Sequence, residues 1–429
     1  MKILQPITQP MGGGAEFLYI KDDRFKTARL TVAMLLPLQE QTASSNAILP
    51  FLLRRSCSDY PQFAQLQRRL NELYGARIIP DVIRIGNAQA MMLSAVSIDD
   101  RFALNNEKVA RSCAELLCSM IFQPVLHDGG FPDEDTEQEK RCLIELIKSE
   151  INEKRLYARH RCEQILFEGE GYAVNRYGTI GEVDKLTPKT IAAAWSNLLK
   201  TAKIRIIYHS AGSSEPVFEI FKAGLDSIDS RQSVSFAQAA DWNSFNGTKE
   251  VVERMGVNQS KLVMGFRTEK TVNIPSVRIM NSLLGGTPHS LLFKNVRERL
   301  GLCYYCASSF DRLGGVILVD SGVDEQNAQK AKEEILRQLD AVCRGEFSQE
   351  EIESARRSLI NQFRTYGDLQ SSLANWYVGQ SLDKKTDTPE QAARELESVT
   401  RDDIINAARQ VKYGAVYMLA GEEVDHAEN

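Results

Sequence analysis

The segment 186–191, LTPKTI, returns 213 residues later as VTRDDI at 399–404, and both copies read as helix starts. Each has a threonine N-cap, Thr187 or Thr400. An apolar residue precedes the cap and an isoleucine follows it, Leu186 with Ile191 and Val399 with Ile404, the pattern of a hydrophobic staple. Each helix leads to an apolar strand, 204–208 or 415–419, and these strands run on to Gly212 and Gly421. Two halves that close alike imply a duplicated domain.

Taken in order, the chain supports this. After a polar, glycine-rich entry, 16–20 and 30–36 read as strands, paired as a hairpin or as neighbours across the charged turn 21–26. A polar run at 39–46 precedes a helix at 47–55, and a second follows at 60–73 with Leu66, Leu70 and Leu73 on one face. Strands at 76–85 and 88–98 meet at Gly86–Asn87. Helices at 106–120 and 133–167 follow, the latter long enough to bend, with Glu150 and Lys154 spaced as an ion pair. The second half repeats the plan: strands at 250–255 and 261–266, helices at 276–284 and 290–300, strands at 303–308 and 316–323, and helices at 325–342 and 349–366. The last of these helices opens on a Ser348–Glu351 capping box. Strands grouped together and then helices, twice over, predict two homologous α+β domains, each an antiparallel-rich sheet with helices packed on one face. The boundaries are 1–212 for the first domain, 213–247 for a linker and 248–429 for the second.

The most specific local stretch is 283–307, LLGGTPHSLLFKNVRERLGLCYYCA. Thr287 and Pro288 read as N-cap and first helical residue. Leu292, Val296 and Leu300 recur every four residues, and Gly301 marks the stop before a strand. Arg297 in the last turn and Tyr304 in the strand can then reach one end of a sheet, where a guanidinium and a phenol can hold a peptide carbonyl. Cys303 and Cys306 form a CxxC, but residues three apart in a regular strand face opposite ways, so a shared metal is not expected.

This stretch resembles the second half of the insulinase, pitrilysin and mitochondrial-processing-peptidase family of zinc peptidases. The resemblance implies the family's duplicated fold, with Arg297 and Tyr304 matching its substrate-contacting pair. Active members carry an inverted His-x-x-Glu-His helix in the first domain and a further Glu ligand downstream. Two histidines four apart share one helical face and can share zinc, and the glutamate between them serves as general base. The helix in this chain reads AILPFLLRRSC. The aligned positions are Pro50, Leu53 and Arg54, and the downstream ligand position is Leu146 within one residue, with Glu139 and Glu145 fitting the acidic pattern around it. No catalytic residue and no bound zinc are expected, and an arginine at a ligand position adds repulsion against a divalent cation. The five histidines, His127, His160, His209, His289 and His426, lie more than a helical turn apart from one another. His160 and Glu163 share a face without completing a ligand set.

The resemblance therefore implies a non-catalytic member, similar to bacterial half-size proteins that pair with a zinc-bearing homologue, including a group named for an association with elongation factor P modification. The expectation is a pseudo-peptidase subunit of a heterodimer, or a self-associating one, with zinc only in an active partner and a peptide gripped through Arg297 and Tyr304. A purely structural assembly protein and a zinc endopeptidase with atypical ligands are the alternatives. A net charge of −5 with no basic stripe argues against nucleic acid. The absence of a run of 18 apolar residues or of a signal-peptide core argues against a membrane and for the cytoplasm. Eight cysteines in a chain of this kind are expected to be reduced, and the MGGG at 11–14 reads as an entry loop rather than a phosphate loop.

Overall fold

The structure, a computed structural model, describes residues 5–236, 247–269 and 271–422. The described chain forms two compact units, one built from 5–147, 174–236 and 366–388, the other from 148–173, 247–365 and 389–422. Each unit thus takes in a segment from the opposite half of the sequence. Part of the expected linker, 237–246, lies outside the described residues.

The first unit holds a six-stranded sheet of β1 (Ile7–Gly12), β2 (Ala15–Lys21), β3 (Thr27–Pro37), β4 (Arg77–Ile85), β5 (Ala88–Ile98) and β6 (Lys203–Ser210) in the order β1-β2-β6-β3-β5-β4. The pair β2–β6 is parallel and the remaining pairs are antiparallel. The second unit holds β7 (Lys249–Arg254), β8 (Ser260–Thr268), β9 (Cys303–Asp311), β10 (Val316–Val323) and β11 (Val411–Ala420) in the order β7-β11-β8-β10-β9, with β7–β11 parallel. Strand for strand, β2-β6-β3-β5-β4 repeats as β7-β11-β8-β10-β9, so both units are mixed α+β folds of one topology. The repeated helix starts close identically as well. Thr187 accepts from the Thr190 amide and Thr400 from the Asp403 amide, each as a reciprocal capping box, with Ile191 and Ile404 fully buried behind them.

Alternate residues of each strand explain the layering. In the first unit Phe17, Val32, Met91, Leu93, Ile204 and Ile206 face a layer that includes the helices Val109–Phe122, Pro188–Thr201 and Glu215–Asp226. Each such fully buried side chain contributes about 2 kcal/mol of transfer free energy. The opposite face carries the helix Gln370–Val378, held where Arg205 Nη1 donates to the Tyr377 carbonyl oxygen at 2.9 Å. The second unit has the matching arrangement. The helix Lys154–Leu166 sets Ala158, Cys162 and Leu166 against Val263, Val316, Ala415 and Tyr417.

Several local expectations are corrected. The entry is not a loop: β1 and β2 form a hairpin that turns through Gly12, Gly13 and Gly14, all at positive φ, which a glycine run permits. Strands β2 and β3 are not neighbours, because β6 lies between them and pairs with both. The predicted 133–167 helix is two, Asp133–Asn152 and Lys154–Leu166, parted where Glu153 leaves helical geometry at ψ 84°. Lys154 then donates to the Ile151 carbonyl oxygen at 3.2 Å and not to Glu150. The first-domain helix begins at Glu40 instead of 47, and Pro50 sits in the separate short helix Leu49–Leu53.

Candidate functional site

Around Arg297 the chain is wound unusually. The helix Ile274–Asn281 passes into a wider i→i+5 turn over Ser282–Gly286, and a second such segment spans Phe293–Arg299. The predicted start at Thr287–Pro288 is not used; Ser290 caps instead, its hydroxyl oxygen accepting from the Phe293 amide at 3.4 Å. Leu292 and Val296 are fully buried as the fourfold spacing predicts. The wider winding takes Leu300 off the stripe and leaves it 45% exposed. Gly301 ends the segment at φ +60°, and the Leu302 amide reaches back to the Val296 carbonyl oxygen at 3.0 Å, a Schellman-type stop. Gly285 is fixed by proximity: a Cβ there would lie 2.8 Å from the Ser308 backbone nitrogen on β9.

Arg297 and Tyr304 are both exposed. The Arg297 guanidinium lies 4.7 Å from the Phe293 ring centroid and has no carboxylate partner among the described residues. Tyr304 is 58% exposed and its hydroxyl donates to Asp324 Oδ1 at 3.2 Å. Its exposure has a backbone cause. Opposite Gly322 and Val323 the register of β9 slips by one residue, pairing Tyr305 and Cys303 and leaving Tyr304 as the extra residue of a β-bulge.

The same bulge overturns the strand argument for the CxxC. One inserted residue brings Cys303 and Cys306 onto one face, and both are buried. The bond from Cys306, with the nearby Arg297 charge, holds the Cys303 thiol below its ordinary range despite burial. The same bond and burial push Cys306 well above it. Both cysteines are free thiols.

In the first unit, Pro50 and Leu53 are buried in the core with Leu49 and Leu52, and Arg54 is half-buried with its Nε lacking a hydrogen-bond partner. Leu146 is half-buried against the same core. The side chain that enters from the downstream helix is Glu139, 2% exposed, whose Oε1 accepts from Arg55 Nη1 at 2.9 Å while Arg55 Nε donates to Asp135 at 2.7 Å. Burial opposes the Arg55 charge, but the two carboxylates more than offset it and hold the guanidinium above its ordinary range. Sequence reasoning marks Glu139 only as part of an acidic pattern. Its three-residue step to Thr136, fully buried on the same helix, is the available signal of an inward face.

Among the described residues no group of three or more His, Cys, Asp or Glu side chains is placed to share a metal ion. His426 lies outside them. His160 and Glu163 sit on the helix Lys154–Leu166, with Glu163 buried. A further buried pair has no signature in the sequence: His209 Nε2 meets Asp22 Oδ2 at 3.0 Å, both side chains 1% exposed, with Arg24 clamping the same carboxylate. No described helix is long and apolar enough to cross a membrane.

Comparison with known proteins places these features. Residues 186–359 match the peptidase M16 inactive domain. A probable inactive metalloprotease of Bacillus subtilis, YmfF, is 27% identical over 421 residues, 96% of this chain and 97% of its own. A conserved protein of Enterococcus faecalis superposes with a TM-score of 0.89 at 26% identity, over 98% of this chain and 99% of that one. An M16 inactive-domain structure from Pseudomonas fluorescens has the same fold, with a TM-score of 0.77 at 14% identity over 98% and 99% of the two chains.

Proposed function

We propose, from the premise that the chain is an M16-type peptidase homologue across both units, that it serves as the non-catalytic subunit beside an active, zinc-bearing homologue and helps hold a peptide for that partner to cleave. The observation that carries this reading is an asymmetry. The positions where a zinc helix would present ligands hold Pro50, Leu53 and Arg54, whereas Arg297 and Tyr304 remain exposed in the second unit, the former without a carboxylate partner among the described residues. An unpaired arginine and a phenol raised on a bulge suit a peptide carbonyl, and strand addition would supply further backbone hydrogen bonds. The reading places the protein in the cytoplasm, takes zinc to reside in the partner only, and allows self-association as the alternative pairing.

The test is peptide turnover by this chain, by the zinc-bearing homologue and by their mixture. Turnover by the mixture that exceeds either component, and that falls about tenfold with Arg297→Ala, corresponding to roughly 1.4 kcal/mol, supports the role. Chelator-sensitive cleavage by the pure chain would make it an enzyme with atypical ligands. Absence of both pairing and peptide binding would leave a structural protein.

A further inference from the structure

The four outer strands of the two sheets differ in what they offer a passing backbone. β4 pairs with β5 without interruption from Arg77 opposite Val96 to Ile85 opposite Ala88, across the two-residue turn Gly86–Asn87. Such a turn closes on a hydrogen-bonded pair, so along the antiparallel ladder Ile85, Ile83, Asp81 and Ile79 direct amide and carbonyl toward β5. Arg84, Val82, Pro80 and Ile78 direct theirs to the open side. Proline at 80 has no N–H to give, and the Val82 N–H donates to Asp81 Oδ1 at 2.8 Å. The two central outward donors are therefore gone, while the Pro80 carbonyl between them still faces outward.

The side chains alone would favour pairing, since Ile79 is 38% exposed on a strand rich in isoleucine. Exposed apolar edges recruit other strands unless something blunts them, and proline and charge are the usual means. The remaining edges complete the contrast. β1 carries Pro10 and a broken register between Pro10 and Gly12. β7 is six residues long, with Lys249, Glu250, Glu253 and Arg254 among them. β9 has no proline, its bulge at Tyr304 is confined to its start so that 305–311 pair without interruption, and its one charged residue, Asp311, comes last.

We infer that the Pro80–Asp81–Val82 segment caps the open edge of β4 against strand addition, and that an extended peptide joining a sheet of this chain is directed to β9. β4 and β5 are the strands on which the Leu49–Leu53 helix packs. The edge beside the altered zinc-helix positions thus offers a peptide no continuous ladder. The inference stands on the local hydrogen bonding of each sheet and holds whether or not the chain pairs with a homologue.

Hydrogen–deuterium exchange on the whole chain, alone and with a terminally blocked nonapeptide of alternating valine and threonine, tests it. In the parent the peptide is expected to slow exchange along β9 and leave β4 unchanged. In Pro80→Val/Asp81→Ala, peptide protection is expected to appear along β4. In the single variant Asp81→Ala, which keeps the proline, Val82 alone is expected to exchange about tenfold faster without peptide. Protection of β4 in the parent, a double variant whose β4 gains none, or a parent with no protection on β9 would each overturn the assignment.

Discussion

Arg55 Nη1 lies 2.9 Å from Glu139 Oε1, so a guanidinium just past the Leu49–Leu53 helix neutralises a buried carboxylate of the helix Asp133–Asn152. The counter-charge of Glu139 is therefore supplied by the chain itself.

Removing that cation exposes the cost of the arrangement. Arg55→Met leaves Glu139 buried without a counter-charge and should destabilise the chain by about 3 kcal/mol, most of it recovered in Arg55→Met/Glu139→Gln. Urea denaturation of the two single variants and the double closes the cycle. Additive losses would show that the pair is uncoupled.

Restoring ligands at 50, 53 and 54 tests whether Glu139 can serve as the downstream one. Pro50→His/Leu53→Glu/Arg54→His should bind zinc at least about tenfold more weakly than the same triple carrying Arg55→Met, because the guanidinium otherwise competes for Glu139. Titration calorimetry with zinc chloride separates the two. Equal affinity would move the downstream ligand away from Glu139.

The His209–Asp22 pair sets an acid limit. Burial lowers the His209 pKa below the ordinary histidine value of 6.5, with Asp22 only partly offsetting it. The folded state then resists a proton that the unfolded chain accepts, and stability falls as pH drops below about 6.5. The Asp22 carboxyl works in the same direction further down. Burial opposes its charge, but the Arg24 and His209 hydrogen bonds bring its pKa to about 2, so its contribution is present above 3.8 and lost between there and about 2. Thermal melts from pH 8 to 3 should show loss beginning near pH 6.5, and His209→Gln should remove that first step alone.

Gly285 tests the packing of the wide-turn segment on β9. In Gly285→Ala the new methyl meets a backbone nitrogen at 2.8 Å and Leu292 Cδ1 at 2.7 Å, and backbone cannot step aside as a side-chain end can. The expected loss is about 2 kcal/mol by chemical denaturation. At Gly301 a methyl would meet no atom within 4 Å, but φ stands at +60°, so Gly301→Ala should lose only about 1 kcal/mol, from conformation rather than contact.

What the sequence revealed and what it hid divide along the range of the interactions. Caps and staples are local, so Thr187 and Thr400 announced their helices and, by recurring, the duplication. Periodicity likewise found every strand from β2 to β11. It missed β1, whose short polar run is a strand only because β2 pairs with it. It could not see β6 entering between β2 and β3, since that contact sets Arg29 beside His209 and Leu35 beside Lys203, far apart along the chain. At the candidate site the residue types at 50, 53, 54, 297 and 304 were plain from the string. The bulge that lifts Tyr304 and gathers Cys303 with Cys306 was not, because it is set by the register of β10 and leaves no mark in β9 itself. Glu139 was legible only as part of an acidic pattern and its burial against Arg55 was not, because counting along a helix fixes a face only once its direction into the core is known.

The exchange of segments between the units has a bearing on the order in which the protein can be completed at the ribosome. The sheet of the first unit has all six strands once Ser210 has emerged, yet the helix that covers its other face, Gln370–Val378, is made some 160 residues later. At about 5–20 residues per second that is an interval of roughly 10–30 s during which an apolar sheet face waits uncovered. Truncation after the first repeat would make that interval permanent. A fragment ending near residue 212 is expected to be aggregation-prone, however complete its strands.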